Sequence, residues 1–134
     1  MLRNIPAMIP DAIEELMHAY RAVTIFRTCK KEMTIGDISF QPGGKIAMPT
    51  NLASGDPEEY EDANKVVLDR KTRYLSFGYG PHLCVGMHLA RCEMRIAFEE
   101  FLAAIPEFPI QDDYTVKMHS GRILQPEKLP MVWG

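Results

Sequence analysis

The stretch Phe77-Gly78-Tyr79-Gly80-Pro81-His82-Leu83-Cys84-Val85-Gly86 constrains this chain more than any other. It is a loop dense in turn residues that ends in a cysteine, and an apolar, charge-laced run at helical spacing follows it. A cysteine at the start of a helix meets free backbone N–H groups and the positive end of the helix dipole, which favour the thiolate. Gly80 supplies a backbone conformation that a side chain would forbid, and Gly86 lets the backbone approach another group closely. The competing reading is a buried structural cysteine beside a glycine turn, the usual fate of a lone cysteine. That reading leaves the ordered phenylalanine, glycines and histidine without a reason.

The rest of the sequence narrows the function classes. A length of 134 residues fits one mid-sized domain, and 25% charged with 46% apolar residues is ordinary for a soluble globular protein. A net charge of -3 gives no support for nucleic-acid binding. Cys29, Cys84 and Cys92 show no C-x-x-C spacing, which argues against a zinc site, a thioredoxin-like motif and c-type haem attachment. Their odd number suits a reducing compartment, so a cytoplasmic location is expected. No apolar run approaches the length of a bilayer span, and Pro6 interrupts the start before a signal-peptide core could form.

Periodicity predicts a helix over residues 11–20, with Asp11 as N-cap, Glu14 completing a capping box, and Ile13, Leu16, Met17 and Tyr20 on one face. Residues 22–29 read as a strand. Met33-Thr34-Ile35, Ile38-Ser39-Phe40 and Lys45-Ile46-Ala47-Met48, separated by glycine turns, suggest a small antiparallel meander. A short helix is expected over residues 50–54 and an irregular acidic segment over 56–70. Residues 85–105 should form the longest helix, with Leu89, Cys92, Ile96 and Ala103 on one side, and with Met94, Phe98, Phe101 and Ile105 widening the apolar surface until Pro106 stops it. Such a surface implies burial between other elements, and Arg95 and Glu99 form an i,i+4 pair. The tail reads as a hairpin of 114–118 against 122–124, followed by an extended Leu129-Pro130-Met131-Val132-Trp133. The expected fold is mainly α with a small antiparallel β region.

The loop resembles the cysteine-ligand loop of the haem-thiolate monooxygenases, the cytochrome P-450 superfamily. Every fixed position of that family's F-G-x-G-x-H-x-C-x-G pattern is present, as Phe77, Gly78, Gly80, His82, Cys84 and Gly86. The resemblance implies that residues 1–134 are a partial domain, about the C-terminal third of that fold, most similar to the soluble bacterial camphor-hydroxylase group. It implies haem b, with Cys84 as the axial thiolate of the iron; thiolate donation favours O–O cleavage in this family. His82 would donate to a haem propionate, Arg27 would reach one, Phe77 would shield the sulfur, and Gly80 and Gly86 would bring backbone close to the ring.

The family's E-x-x-R motif falls on Glu15, but its arginine position holds His18. Asp56, Pro57, Tyr60, Asp62 and Arg70 follow the spacing of the family's meander, so Arg70 is the expected third member of a charge network with Glu15 and His18. Histidine lacks the guanidinium fork, which puts that network in question. Val23, Thr24 and Ile25, with Arg122 and Ile123, fall where relatives line a substrate pocket, although packed core and solvated charge are equal readings. The implied reaction inserts one atom of O2 into a C–H bond of an apolar small molecule, terpenoid-like by analogy. Electrons would come from an iron–sulfur ferredoxin docked on Lys71, Arg73 and Arg91. The oxygen-activating acid–alcohol pair lies outside these residues, so the chain alone is expected to be inactive. A haem-binding or haem-sensing module without turnover and a non-functional truncated product are the rival readings.

Overall fold

Prolines set where the chain turns helical. Pro6 opens a tight turn, Pro6–Met8, and Pro10 stands in the first turn of α1, Ile9–Ala19. Proline costs nothing there, because the first N–H groups of a helix have no internal partner. The helix therefore starts earlier than the spacing of Asp11 predicts. Met8 is its N-cap, no side chain caps it, and Asp11 lies in the first turn, where its charge still meets the dipole. The capping box does not form, and Glu14 is used elsewhere.

The computed structural model describes residues 2–70, 74–105 and 107–132. The core lies around α1: Ile9, Ala12 and Ile13 are buried, and so are the polar Glu15 and His18. Tyr20, expected on the apolar face, is 74% exposed, because it follows the last helical turn. Tyr60 and Ala63, from the irregular segment over 56–70, are buried as well.

The strands depart from the expected meander. Strands β2, Met33–Ile35, and β3, Ile38–Phe40, form a hairpin with Gly36 at φ 57°. Strand β4, Lys45–Pro49, does not continue it. It pairs antiparallel with β1, Thr24–Thr28, with Thr24 opposite Pro49 and Thr28 opposite Lys45. Cys29 N–H donates to the Gly44 carbonyl at 2.9 Å and Gly43 N–H to the Cys29 carbonyl at 2.8 Å, which closes the ladder before the hairpin departs. The hairpin is thus an excursion from a longer β1–β4 ribbon, and α2, Thr50–Ala53, continues from that ribbon.

The tail also pairs differently. Strands β5, Met118–His119, and β6, Gln125–Pro126, form a short ladder. Residues 122–124 turn instead to the start of β1: Thr24 N–H donates to the Arg122 carbonyl at 2.9 Å and Leu124 N–H to the Ala22 carbonyl at 2.7 Å.

Helix α3, Met87–Ala104, packs along α1. Its half-buried side carries Met94, Phe98, Phe101 and Leu102, while Leu89, Cys92, Ile96 and Ala103 form an exposed stripe. None of its residues is fully buried, so the expected burial on several sides is not found among the described residues. Arg3 ties down its end, donating Nε to the Leu102 carbonyl at 2.9 Å and Nη2 to the Ile105 carbonyl at 2.5 Å. Pro106 and Trp133 lie outside the described residues. No helix among those described is long and apolar enough to cross a membrane.

Candidate functional site

The cysteine loop closes on itself. Gly78, at φ 77°, ends a turn in which its N–H donates to the Leu75 carbonyl at 2.9 Å. Gly80, at φ 67°, begins the 3-10 turn Gly80–His82; both angles favour glycine. The Cys84 N–H then returns to the Phe77 carbonyl at 3.0 Å. Wherever Phe77 is held, the Cys84 backbone is held too. Cys84 is a free, exposed thiol. It stands two residues ahead of the α3 N-cap, Gly86, whereas a helix over 85–105 would place it directly at the helix start. A Cβ at Gly86 would touch the Cys84 Sγ at 3.9 Å, so glycine leaves that flank of the sulfur uncovered.

The loop and the β1–β4 ribbon wall a cavity of about 540 Å3. Its lining is mostly apolar, with Ile25, Met48 and Leu75 beside Gly78 and Tyr79, and Arg27 and His82 both open onto it. Arg27 spends one N–H on the Phe26 carbonyl, at 2.9 Å. The two candidate donors thus share one apolar space, next to a loop that carries a free thiol. This donor set suits a flat apolar group bearing carboxylates and a thiolate-binding metal. Ile25 also lines the cavity, whereas Arg122 and Ile123 are exposed.

Beneath the loop, Glu15 and Arg70 come together as the sequence expects. Arg70 Nε donates to Glu15 Oε2 at 3.0 Å, and the Val67 N–H donates to Glu15 Oε1 at 2.7 Å. Their side chains are 2% and 7% exposed, respectively. Arg70 also donates to the carbonyls of Glu61, Asp62 and Lys65, at 2.5, 3.0 and 3.2 Å, and so gathers the irregular segment around itself.

His18 does not join this network by a hydrogen bond. It is 1% exposed, and neither ring nitrogen has a partner. Its ring packs 4.8 Å from Tyr60 and 6.3 Å from Tyr74. Burial holds its pKa below the ordinary imidazole value, the Arg70 and Arg21 cations push the same way, and Glu15 opposes them. The carboxylate that loses its arginine at position 18 is therefore satisfied by Arg70 and Val67; the histidine is the group left without a hydrogen-bond partner.

A second charged cluster was not foreseen. Arg91, on α3, forks onto Glu14, on α1, with Nε to Oε1 at 2.6 Å and Nη2 to Oε2 at 2.9 Å. The Tyr74 hydroxyl donates to Glu14 Oε2 and accepts from Arg91 Nη2 at 3.1 Å. Burial would raise the Glu14 pKa, but its hydrogen bonds from Arg91 and Tyr74 bring it below the usual value. Burial and the bond to Glu14 push Tyr74 up to about 12. The bond to Glu14 raises Arg91 above its ordinary value. The guanidinium carbon of Arg91 lies 4.9 Å from the centre of the Phe77 ring. Glu14 and Arg91 are 77 positions apart, so no spacing rule could have paired them. Of the expected docking patch, Arg91 is engaged in a half-exposed ion pair with Glu14, and Lys71 and Arg73 lie outside the described residues.

Residues 2–132 match the family model described as Cytochrome P450. The chain belongs to the cytochrome P450 family. It is 37% identical over 135 residues to the probable cytochrome P450 127A1 of Sinorhizobium fredii, covering 100% of this chain and 33% of that protein. It is 31% identical over 134 residues to the mycinamicin IV hydroxylase/epoxidase of Micromonospora griseorubida, covering 96% of this chain and 34% of that one. Among solved structures, cytochrome P450 CYP101C1 superposes with a TM-score of 0.94 at 32% identity, over 99% of this chain and 35% of its own. The fold described above is therefore a portion of the cytochrome P450 fold, and the chain spans about a third of the length of the curated relatives it matches. The camphor-hydroxylase likeness expected from the sequence holds in that structural match to a CYP101 protein.

Proposed function

We propose that this chain is the haem-holding portion of a haem-thiolate monooxygenase acting on an apolar small molecule. The observation that carries the reading is the free thiol of Cys84, presented on a self-closed loop that walls an apolar cavity shared by Arg27 and His82. When bound, haem b supplies the redox chemistry that activates O2. Cys84 is the iron ligand as thiolate, and Gly86 leaves room beside the sulfur. Arg27 and His82 take the propionates, each by a charge-assisted contact. The apolar wall excludes water from the ring edge. Glu15 and Arg70 hold the segment below the loop rigid, with Gly80 fixing the turn above.

An apolar cavity wall at Ile25 and Met48 suits a hydrocarbon-rich substrate of terpenoid-like character. The electron donor in this reading is an iron–sulfur ferredoxin, and the free thiols Cys29, Cys84 and Cys92 suit a reducing cytoplasm. The test is spectroscopic. In the haem-loaded full chain, Cys84→Ala abolishes the thiolate-type spectrum of the ferrous–CO form, whereas Cys29→Ala and Cys92→Ala keep it. A thiolate-type spectrum surviving in Cys84→Ala refutes the ligand assignment. A thiolate-ligated protein that still never turns over with electron donor and apolar substrates, once joined to the remaining two thirds of a relative's fold, supports a haem-sensing role instead.

A further inference from the structure

The Glu14, Tyr74 and Arg91 cluster has no part in the ligand set proposed above, yet it touches the cysteine loop directly. The path is short. The Cys84 N–H is bonded to the Phe77 carbonyl, and the Phe77 ring lies under the Arg91 guanidinium. Arg91 cannot drift, because both oxygens of Glu14 and the Tyr74 hydroxyl hold its fork. Tyr74 itself lies three positions before Phe77 and bonds Glu14, so the same carboxylate grips the loop twice. Between them, Ser76 Oγ donates to the Met17 carbonyl at 2.6 Å, a third attachment to α1. None of these contacts uses Glu15 or Arg70.

We propose that Arg91 is a positioning residue for Cys84: braced by Glu14 and Tyr74, it pins the Phe77 ring and, through the Phe77 carbonyl, the peptide N–H of the cysteine. This inference rests on the haem-thiolate reading only for its consequence at the iron; the brace itself is a property of the protein without haem. A guanidinium suits the position because its planar fork bonds a carboxylate twice while its face lies on an aromatic ring. Lysine would keep the charge and lose both features. The loop would then be anchored to α1 by Glu14, through Tyr74 on the loop's approach and through Arg91 on the helix that follows the cysteine.

Amide hydrogen exchange on the full chain without haem tests the brace. In Arg91→Gln, exchange at the Cys84 amide accelerates by about tenfold, the scale expected when a half-exposed cation–π contact and its ion pair are removed together, while the β1–β4 ladder keeps its protection. Arg91→Lys recovers part of the protection. Phe77→Leu produces the same acceleration, and adding Arg91→Gln to it changes little, because the two residues act through one contact. Equal acceleration in loop and ladder, or additive effects of the two substitutions, overturns the proposal. The haem-loaded full chain then separates this inference from the reading on which it rests. If the unsubstituted protein gives a thiolate-type ferrous–CO spectrum, Arg91→Gln converts to the non-thiolate form several times faster than wild type under mild denaturant, and an unchanged rate overturns the proposal. If the unsubstituted protein lacks that spectrum, the functional reading fails, and the link from Arg91 to an iron ligand fails with it, whatever the exchange data show about the brace.

Discussion

Replacing His18 by methionine should stabilise the protein, although it removes a buried side chain from beneath the cysteine loop. A neutral imidazole carries one donor and one acceptor, and here both are buried without partners. An unmet buried group costs about 1–3 kcal/mol, so the pair costs about 2–6 kcal/mol. Methionine abolishes that cost. It forfeits the ring contact with Tyr60, at a centroid distance of 4.8 Å, worth about 0.5–1.5 kcal/mol. It regains about as much through its sulfur against the same ring. Ordering its longer chain takes back about 1–2 kcal/mol. Near the low end of these ranges the balance is a gain of about 1 kcal/mol, and each such kcal/mol raises the melting temperature of a chain of this size by about 3–5 °C.

The pH dependence provides a sharper test of the same histidine. Its folded pKa is depressed from 6.5, first by burial and then by Arg70, with Arg21 adding and Glu15 opposing; Tyr60 and Tyr74 are the rings packed against it. Well above pH 6.5 the ring is neutral in both states and contributes no slope. Below it, the unfolded chain binds a proton that the folded chain resists. Stability therefore falls with pH, by up to about 1.4 kcal/mol per unit, until the folded pKa is passed. Urea unfolding of wild type and His18→Met at a series of pH values between neutrality and mild acid reads this directly. The difference between them should widen on acidification. A methionine variant less stable than wild type by more than about 1 kcal/mol would show that the imidazole has a partner after all. Parallel pH profiles would show that His18 does not titrate in this window.

Arg70→Ala should cost about 3–5 kcal/mol, since it leaves Glu15, 2% exposed at the side chain, as an uncompensated buried charge and frees the carbonyls of Glu61, Asp62 and Lys65. The urea midpoint checks it, and a loss below about 1 kcal/mol would mean that water replaces the guanidinium. Arg3→Ala should fray the end of α3, where Arg3 holds the carbonyls of Leu102 and Ile105. The expected cost is about 0.5–1.5 kcal/mol, with faster amide exchange confined to the last turn; unchanged exchange there would remove Arg3 from the cap.

The features legible in the sequence are those that consecutive residues enforce. Gly78 and Gly80 hold φ values of 77° and 67°, and such angles are a local demand that only the residue in place can meet. The cysteine loop was accordingly readable in its order of residues, and so were the Gly36 hairpin turn and the extent of α3. Pairing at a distance was not readable in the same way. The β2–β3 hairpin is local and was foreseen, but β4 turned to β1, across the whole excursion, because the ladder closes through Cys29, Gly43 and Gly44. The Glu15–Arg70 pair was expected only through the family pattern, and His18 could be recognised as a departure but not as a buried ring without partners.

The two glutamates show most clearly what the tertiary structure alone decides. Glu14 and Glu15 are adjacent in sequence, and nothing in composition or charge distinguishes them. On a helix, neighbours point about 100° apart. That rotation sends Glu15 inward to Arg70 and the Val67 N–H, and Glu14 sideways to Arg91 and Tyr74. Which partner each carboxylate meets depends on how α1 is turned against its neighbours, and that angle is set by packing between segments far apart in the chain.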